Sequence, residues 1–120
     1  MKTLSKVLSL MSADKNDVAV MISEDNSASG TTDYQSATLD WNKDGTHLVG
    51  VNSGSMFGQR SRIAQLSTAT SIDPLVTWSA SNASMRGIHI FQGVDDNASV
   101  TAMNVTGERN SFINCHIAGI

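Results

Sequence analysis

Three histidines, one cysteine and a pair of adjacent aspartates carry most of the chemistry available to this 120-residue chain. His89 and His116 sit in matching contexts, Ile88-His89-Ile90 and Cys115-His116-Ile117, at an offset of 27 (116 − 89). A zinc-type site needs three or four nitrogen, sulfur or carboxylate ligands. This pair has neither a third ligand nor an acid or cysteine at ligand spacing, so the reading is an outward, solvated ladder with imidazoles about 4.8 Å apart. His47 has no placed partner. Asp95-Asp96 is a candidate calcium pair, but calcium takes about six to eight oxygens, and no repeated acidic motif supplies them. The pair reads as a solvated turn.

Cleaving a glycosidic bond takes two carboxylates on one exposed face. From His47 onward the acids are Asp73, Asp95, Asp96 and Glu108, all in predicted turns and none stacked on another. Arg86 and Arg109 are candidate partners for anionic sugars and read as ordinary surface charges. Cys115 has no nearby base and reads as a small buried hydrophobe. Trp41 and Trp78 are either sugar-stacking platforms or packing between layers, and packing is the reading. Gly54, Gly58 and Gln59-Arg60 form a glycine-bearing loop without the lysine and following helix of a phosphate loop. It reads as a turn. No residue is assigned a catalytic, cofactor-binding or metal-binding role, and the chain is read as non-enzymatic.

The composition agrees. Ser, Thr and Asn account for 36 residues against 19 charged ones, and the net charge is -3. A weakly acidic surface gives no electrostatic basis for binding nucleic acid or an anionic membrane. No apolar run approaches the ~18 residues of a membrane span. Lys6 and four hydroxyl residues interrupt Met1 to Ala13, so that segment is not read as a signal peptide. One cysteine allows no disulfide within the chain.

The elements that must position these residues follow a rhythm. Leu4, Val7, Leu8 and Met11 fall at i, i+3, i+4 and i+7, one face of a short helix. Val18 to Ile22 is apolar throughout, as expected of a strand covered on both sides. Ser23 to Asp33 reads as a loop, Ala37 to Trp41 as a strand, and Asn42 to Gly45 as a tight turn ending in Asp-Gly. Two alternating strand classes come next. One holds His47 to Val51, Leu75 to Trp78 and Val100 to Val105; the other holds Arg62 to Leu66, Met85 to Ile90 and Phe112 to Ile117. Members of a class recur at a solenoid-like interval of roughly 25 to roughly 28 residues. Gly87 aligns with Asn114, and a glycine follows each histidine closely, at Gly93 and Gly119. Likeness between every second strand points to parallel coils, with Ile88 below Cys115 and Ile90 below Ile117, facing inward.

The opening pieces match a pattern common in right-handed parallel β-helix proteins: a capping helix at Leu4 to Met11, a polar turn into Asp17-Val18, and a Thr46-His47-Leu48-Val49-Gly50 rung. More specifically, KNDVAVMISEDNS, TTDYQSATLDWNKDGTHLVGV, QRSRI and TGERNSFINCHIAGI, together spanning about Val7 to Ile120, resemble a family of uncharacterised structural proteins of tailed phages. The resemblance implies a place in the virion, assembly in the bacterial cytoplasm and no catalytic residues. It also implies further coils after the segment matching NCHIAGI.

The expectation is therefore an all-β, right-handed parallel β-helix of about three coils. Residues 1-17 form a capping helix and turn, and residues 18-120 form the coils. The last rung ends on Ile117 and Ile120, so it is expected to be truncated or covered by a partner. The expected role is a virion component, either a head-surface decoration or a fibre or spike protein. It would act through shape and oligomeric assembly with other virion proteins. The alternative is a tailspike-like protein that binds or cleaves a host surface glycan, with its groove outside this segment.

Overall fold

A computed structural model describes residues 3–22, 32–51 and 61–119. It is a parallel β-solenoid of about three turns with one short helix at its N-terminal end. Helix α1 spans Leu4–Leu10, too short to cross a membrane. Among the described residues eleven strands follow: β1 Val18–Met21, β2 Thr32–Gln35, β3 Leu39–Trp41, β4 His47–Gly50, β5 Ser61–Gln65, β6 Val76–Trp78, β7 Ser84–Arg86, β8 Ile88–Gln92, β9 Met103–Val105, β10 Ser111–Ile113 and β11 His116–Gly119.

The strands stack into three parallel sheets, β1-β4-β7-β10, β2-β5-β8-β11 and β3-β6-β9. Each turn therefore has three strands rather than the two expected. His47 to Val51 does not share a sheet with Leu75 to Trp78, because β4 stacks on β1 and β7 while β6 stacks on β3 and β9. Met85 to Ile90 is likewise two strands. Gly87, at φ 67°, turns the chain between β7 and β8, and Asn114, at φ 51°, does the same between β10 and β11. Glycine and asparagine tolerate this left-handed backbone best, and one such residue at a corner sends alternate strands into different sheets.

A second left-handed corner precedes the first sheet in every turn. Asn16, Gly45, Asn82 and Arg109 all have φ between 51° and 61°, and each lies two residues before β1, β4, β7 or β10. Gly45 belongs to the Asn42 to Gly45 turn, which joins strands of two different sheets and is not a hairpin.

The period is shorter in the later turns than in the earlier ones. Ser84 pairs with Ser111, an offset of 27 (111 − 84), whereas His47 pairs with Ser84, an offset of 37 (84 − 47). The longer turn contains residues 52–60. The expected turn of Gly54, Gly58 and Gln59-Arg60 lies outside the described residues, as does most of the expected Ser23 to Asp33 loop. The end of that loop, Thr32 and Asp33, belongs to β2, a strand that sequence reading did not expect.

Inward positions form columns. One runs Ala19, Leu48, Met85 and Phe112, another Ser61, Ile88 and Cys115, and a third Leu39, Val76 and Met103. The innermost column places Trp41 on Trp78, both fully buried. α1 closes the first turn, burying Leu4, Leu8 and Met11 with Val7 partly buried against the core, the face expected from its periodicity. The Leu4 N–H donates to Asp33 Oδ2 at 2.9 Å, and Lys43 Nζ donates to the Ser9 and Met11 carbonyls at the other end of the helix. A cation on the free carbonyls of a helix C-terminus is favourable.

β1 is covered on one face only. Ala19 and Met21 are buried, but Val18, Val20 and Ile22 are more than half exposed. A three-sided coil has one interior, so each sheet has one dry face and one outer face. The all-apolar stretch thus does not mean burial on both sides.

Candidate functional site

The outer face of the second sheet carries the histidine column. Arg62 pairs with His89 and His89 with His116. The two imidazoles stack with centroids 4.6 Å apart and planes 16° from parallel. Phe91 lies 5.8 Å from His89, and the Arg62 guanidinium lies 5.6 Å over Phe91. The ladder has the expected partners and direction, but it is not solvated throughout. His89 is only 5% exposed, while His116 is exposed. Imidazole lone pairs lie in the ring plane, so two stacked rings direct them side by side and not at a common centre. Among the described residues no cluster of three or more His, Cys, Asp or Glu side chains has a metal-binding arrangement. His47 stands apart on the first sheet, 2.9 Å from Ser84 Oγ and 3.5 Å from Asn16 Oδ1, a link across neighbouring turns.

The turn acids staple one coil to another. Asp44 Oδ1 accepts from the Ser81 N–H at 2.7 Å, and Asp73 Oδ1 from the Thr101 N–H at 2.7 Å. Asp96 accepts from the Ser71 N–H at 2.6 Å, the Ala98 N–H at 3.1 Å and the Ser99 hydroxyl at 2.9 Å. These donors, the Ser71 N–H first, hold the Asp96 carboxyl below the usual carboxylate range. Asp96 is therefore not the freely solvated turn residue expected from sequence, although its neighbour Asp95 is exposed. Glu108 and Arg109 form an exposed ion pair at 3.5 Å, and Arg109 Nε donates to Asn82 Oδ1 at 2.8 Å. Arg86 is exposed on the first sheet.

Trp41 and Trp78 are interior, as expected, whereas Cys115 is half-buried rather than buried, with its sulfur 3.5 Å from the Met85 carbonyl.

Sequence reading missed an interior column of amides. Gln35 pairs with Gln65, and the register carries Gln65 onto Gln92 and Gln92 onto Gly119. All three glutamines are at most 6% exposed. Gln65 Nε2 donates to the Ala69 carbonyl and Ser99 Oγ, and Gln92 Nε2 to the Ile72 and Ser99 carbonyls. The signal was present in the spacings of 30 and 27, the same intervals that separate Thr32, Arg62 and His89. It was masked by matching Gly93 with Gly119, which are not in register. At the foot of the neighbouring column lies Asp33, 7% exposed below Ile63. Burial pushes its carboxyl above the ordinary value, against the Leu4 N–H and the Gln35 amide, which pull it down.

The feature with most potential for binding is the last rung. Strands β9, β10 and β11 each pair on one side only among the described residues. Their inward side chains repeat the core below without its cover. Val105 is 46% exposed above Trp78, Phe112 39% above Met85 and Ile117 52% above Ile90, while all three residues beneath are 0% exposed. Beside this end lies an open groove of about 390 Å³ lined by Gln92, Asp95, Asn97, Ser99, Val100 and Ile117, among others.

Fold and site together define a parallel β-solenoid with a closed first end and an open last rung. Comparison with family models, curated proteins and solved structures gave no match.

Proposed function

We propose that the chain is a structural component of a tailed-phage virion, a head decoration or fibre-like subunit that acts through shape and assembly. The observation that carries this reading is the open rung. Three parallel strand edges without a partner among the described residues, and three half-exposed inward side chains, form an apolar surface on which another chain can stack. Edges of this kind template pairing. Burying the exposed halves of Val105, Phe112 and Ile117 contributes roughly 3 kcal/mol in total, at ~1.5–3 kcal/mol per fully buried side chain. Another subunit of the particle, or further coils, would gain that by stacking there. The use of turn acids as staples between coils supports a mechanical role over a catalytic one. An antibody against the chain, applied to particles of the phage whose genome encodes it, should label heads or tails in electron micrographs. Purified particles that carry no label would refute the reading.

The groove favours one second reading, recognition of a host surface glycan. Its amide, carboxylate and hydroxyl groups beside Val100 and Ile117 suit a polyhydroxylated ligand. Binding of bacterial surface glycans by the wild-type chain, lost in Asp95→Ala, would favour this reading over the structural one. Asp95 is the informative residue because Asp96 is engaged in the fold.

A further inference from the structure

The outer face of the first sheet carries an apolar strip that the virion reading does not use. Val18, Val20, Ile22 and Val51 are 54%, 55%, 59% and 58% exposed. Val20 pairs with Val49, and the Val51 N–H donates to the Met21 carbonyl, so these residues lie side by side over the first two turns. Val49 fills the strip between them and is half-buried. The next rungs of the same face present Ser84 and Arg86, then Ser111 and Ile113.

We propose that this strip is a lateral interface between two copies of the chain, related by a two-fold axis. Charge decides the class of partner. Across β1, β4, β7 and β10 the only permanently charged side chain is Arg86, so the face has nothing with which to select a strongly charged surface. A second copy offers the same uncharged face, and an apolar strip is complementary to itself, as an isologous contact requires. Area permits such a contact. Four side chains more than half exposed present roughly 350 Å² of apolar surface, within the ~300–600 Å² of the largest patch on a typical monomer. Two copies face to face remove about 700 Å² through these residues alone, and a rim of His47, Ser84 and Arg86 extends the contact towards the ~1,200 Å² at which stable interfaces begin. An apolar centre within a polar rim is the usual interface anatomy. The proposal is independent of the virion role: antibody labelling of particles tests one, and the mass of the purified chain tests the other.

Sedimentation equilibrium on the whole chain, from low to high micromolar concentration, provides the test. The wild type should approach twice the 12.7 kDa chain mass. Val20→Lys should stay at the single-chain mass with an unchanged β-type circular dichroism spectrum. Val18→Thr with Val20→Thr keeps the β-branched shape and should weaken association at least tenfold, which covers the case in which the lysine variant does not fold. Ile117→Lys, at the open rung, should leave the dimer intact. A wild type that remains at the single-chain mass overturns the proposal. So does a threonine double variant that associates as tightly as the wild type, or a dimer that Ile117→Lys dissolves and Val20→Lys does not.

Discussion

Trp41 lies flat on Trp78, with ring centroids 5.1 Å apart and planes 2° from parallel, although the two are a whole turn of the solenoid apart in sequence. The pair is the clearest sign that like residues stack from turn to turn, and Phe112 of the neighbouring column meets Trp78 edge-on at 5.6 Å. The two indoles differ in one respect. Trp41 Nε1 donates to Thr46 Oγ1 at 2.9 Å, whereas Trp78 Nε1 is buried with no hydrogen-bond partner among the described residues.

Replacing either tryptophan by alanine should therefore cost about 3–5 kcal/mol of stability, the range for large core truncations. The phenylalanine variants should separate. Trp41→Phe loses a made hydrogen bond, while Trp78→Phe removes an unsatisfied donor, so Trp41→Phe should be the more destabilising by about 1–2 kcal/mol. Urea unfolding of the two variants side by side checks the order.

Asp33 and Asp96 should give opposite pH dependences. The folded-state pKa of Asp33 is raised by burial, so the folded state binds its proton more tightly than the unfolded chain. Its ionisation costs stability as pH rises through the acidic range, and acidification restores it. The folded-state pKa of Asp96 is lowered, so its contribution is present above the unfolded carboxylate pKa and is lost as pH falls below it. Melting temperatures from strongly acidic to neutral pH should show Asp33→Asn raising stability at neutral pH with little effect in acid. Asp96→Asn should lower stability at neutral pH and converge with the wild type in acid.

The amide column offers a charge test inside the solenoid. Gln65→Glu is nearly isosteric but places a carboxylate at a position 4% exposed. Ionising it there is costly. The variant should be several kcal/mol less stable than the wild type at neutral pH and regain much of the loss as pH falls, because the protonated acid is neutral. A variant with unchanged stability at neutral pH would show that the column is wetter than the structure has it.

Gly107 lies tight against the backbone of the turn below. A Cβ at this position would lie 1.9 Å from the Ala80 carbonyl oxygen, a rigid backbone atom. Gly107→Ala should loosen the last rung from the turn below and lower the melting temperature. Gly119→Ala, whose Cβ would meet Gln92 at an ordinary 3.4 Å, should be tolerated.

The period was legible because like side chains recur at one interval in the later turns, and His89 over His116 set the register correctly. Strand count per turn was not legible. One glycine or asparagine in a left-handed corner splits an apolar run into two strands, and Met85 to Ile90 carries no other break in its pattern. Val18 to Ile22 misled for a different reason: hydrophobicity records the absence of polar groups, not the presence of a neighbour on both faces. The Asp96 staple escaped notice because two of its donors are backbone N–H groups, those of Ser71 in the turn below and of Ala98 close by, which residue types do not reveal. Ile117, expected on the last rung, is 52% exposed there.

Hydrogen exchange tests that open rung most directly. In a dilute solution of the lone chain, amides of β5 and β8, paired on both sides, should exchange slowly. Those of β9, β10 and β11 that point away from the stack should exchange freely. Upper-edge amides of β11 as protected as those of β8 in the dilute chain would contradict the account, because the last rung would then be closed without any partner.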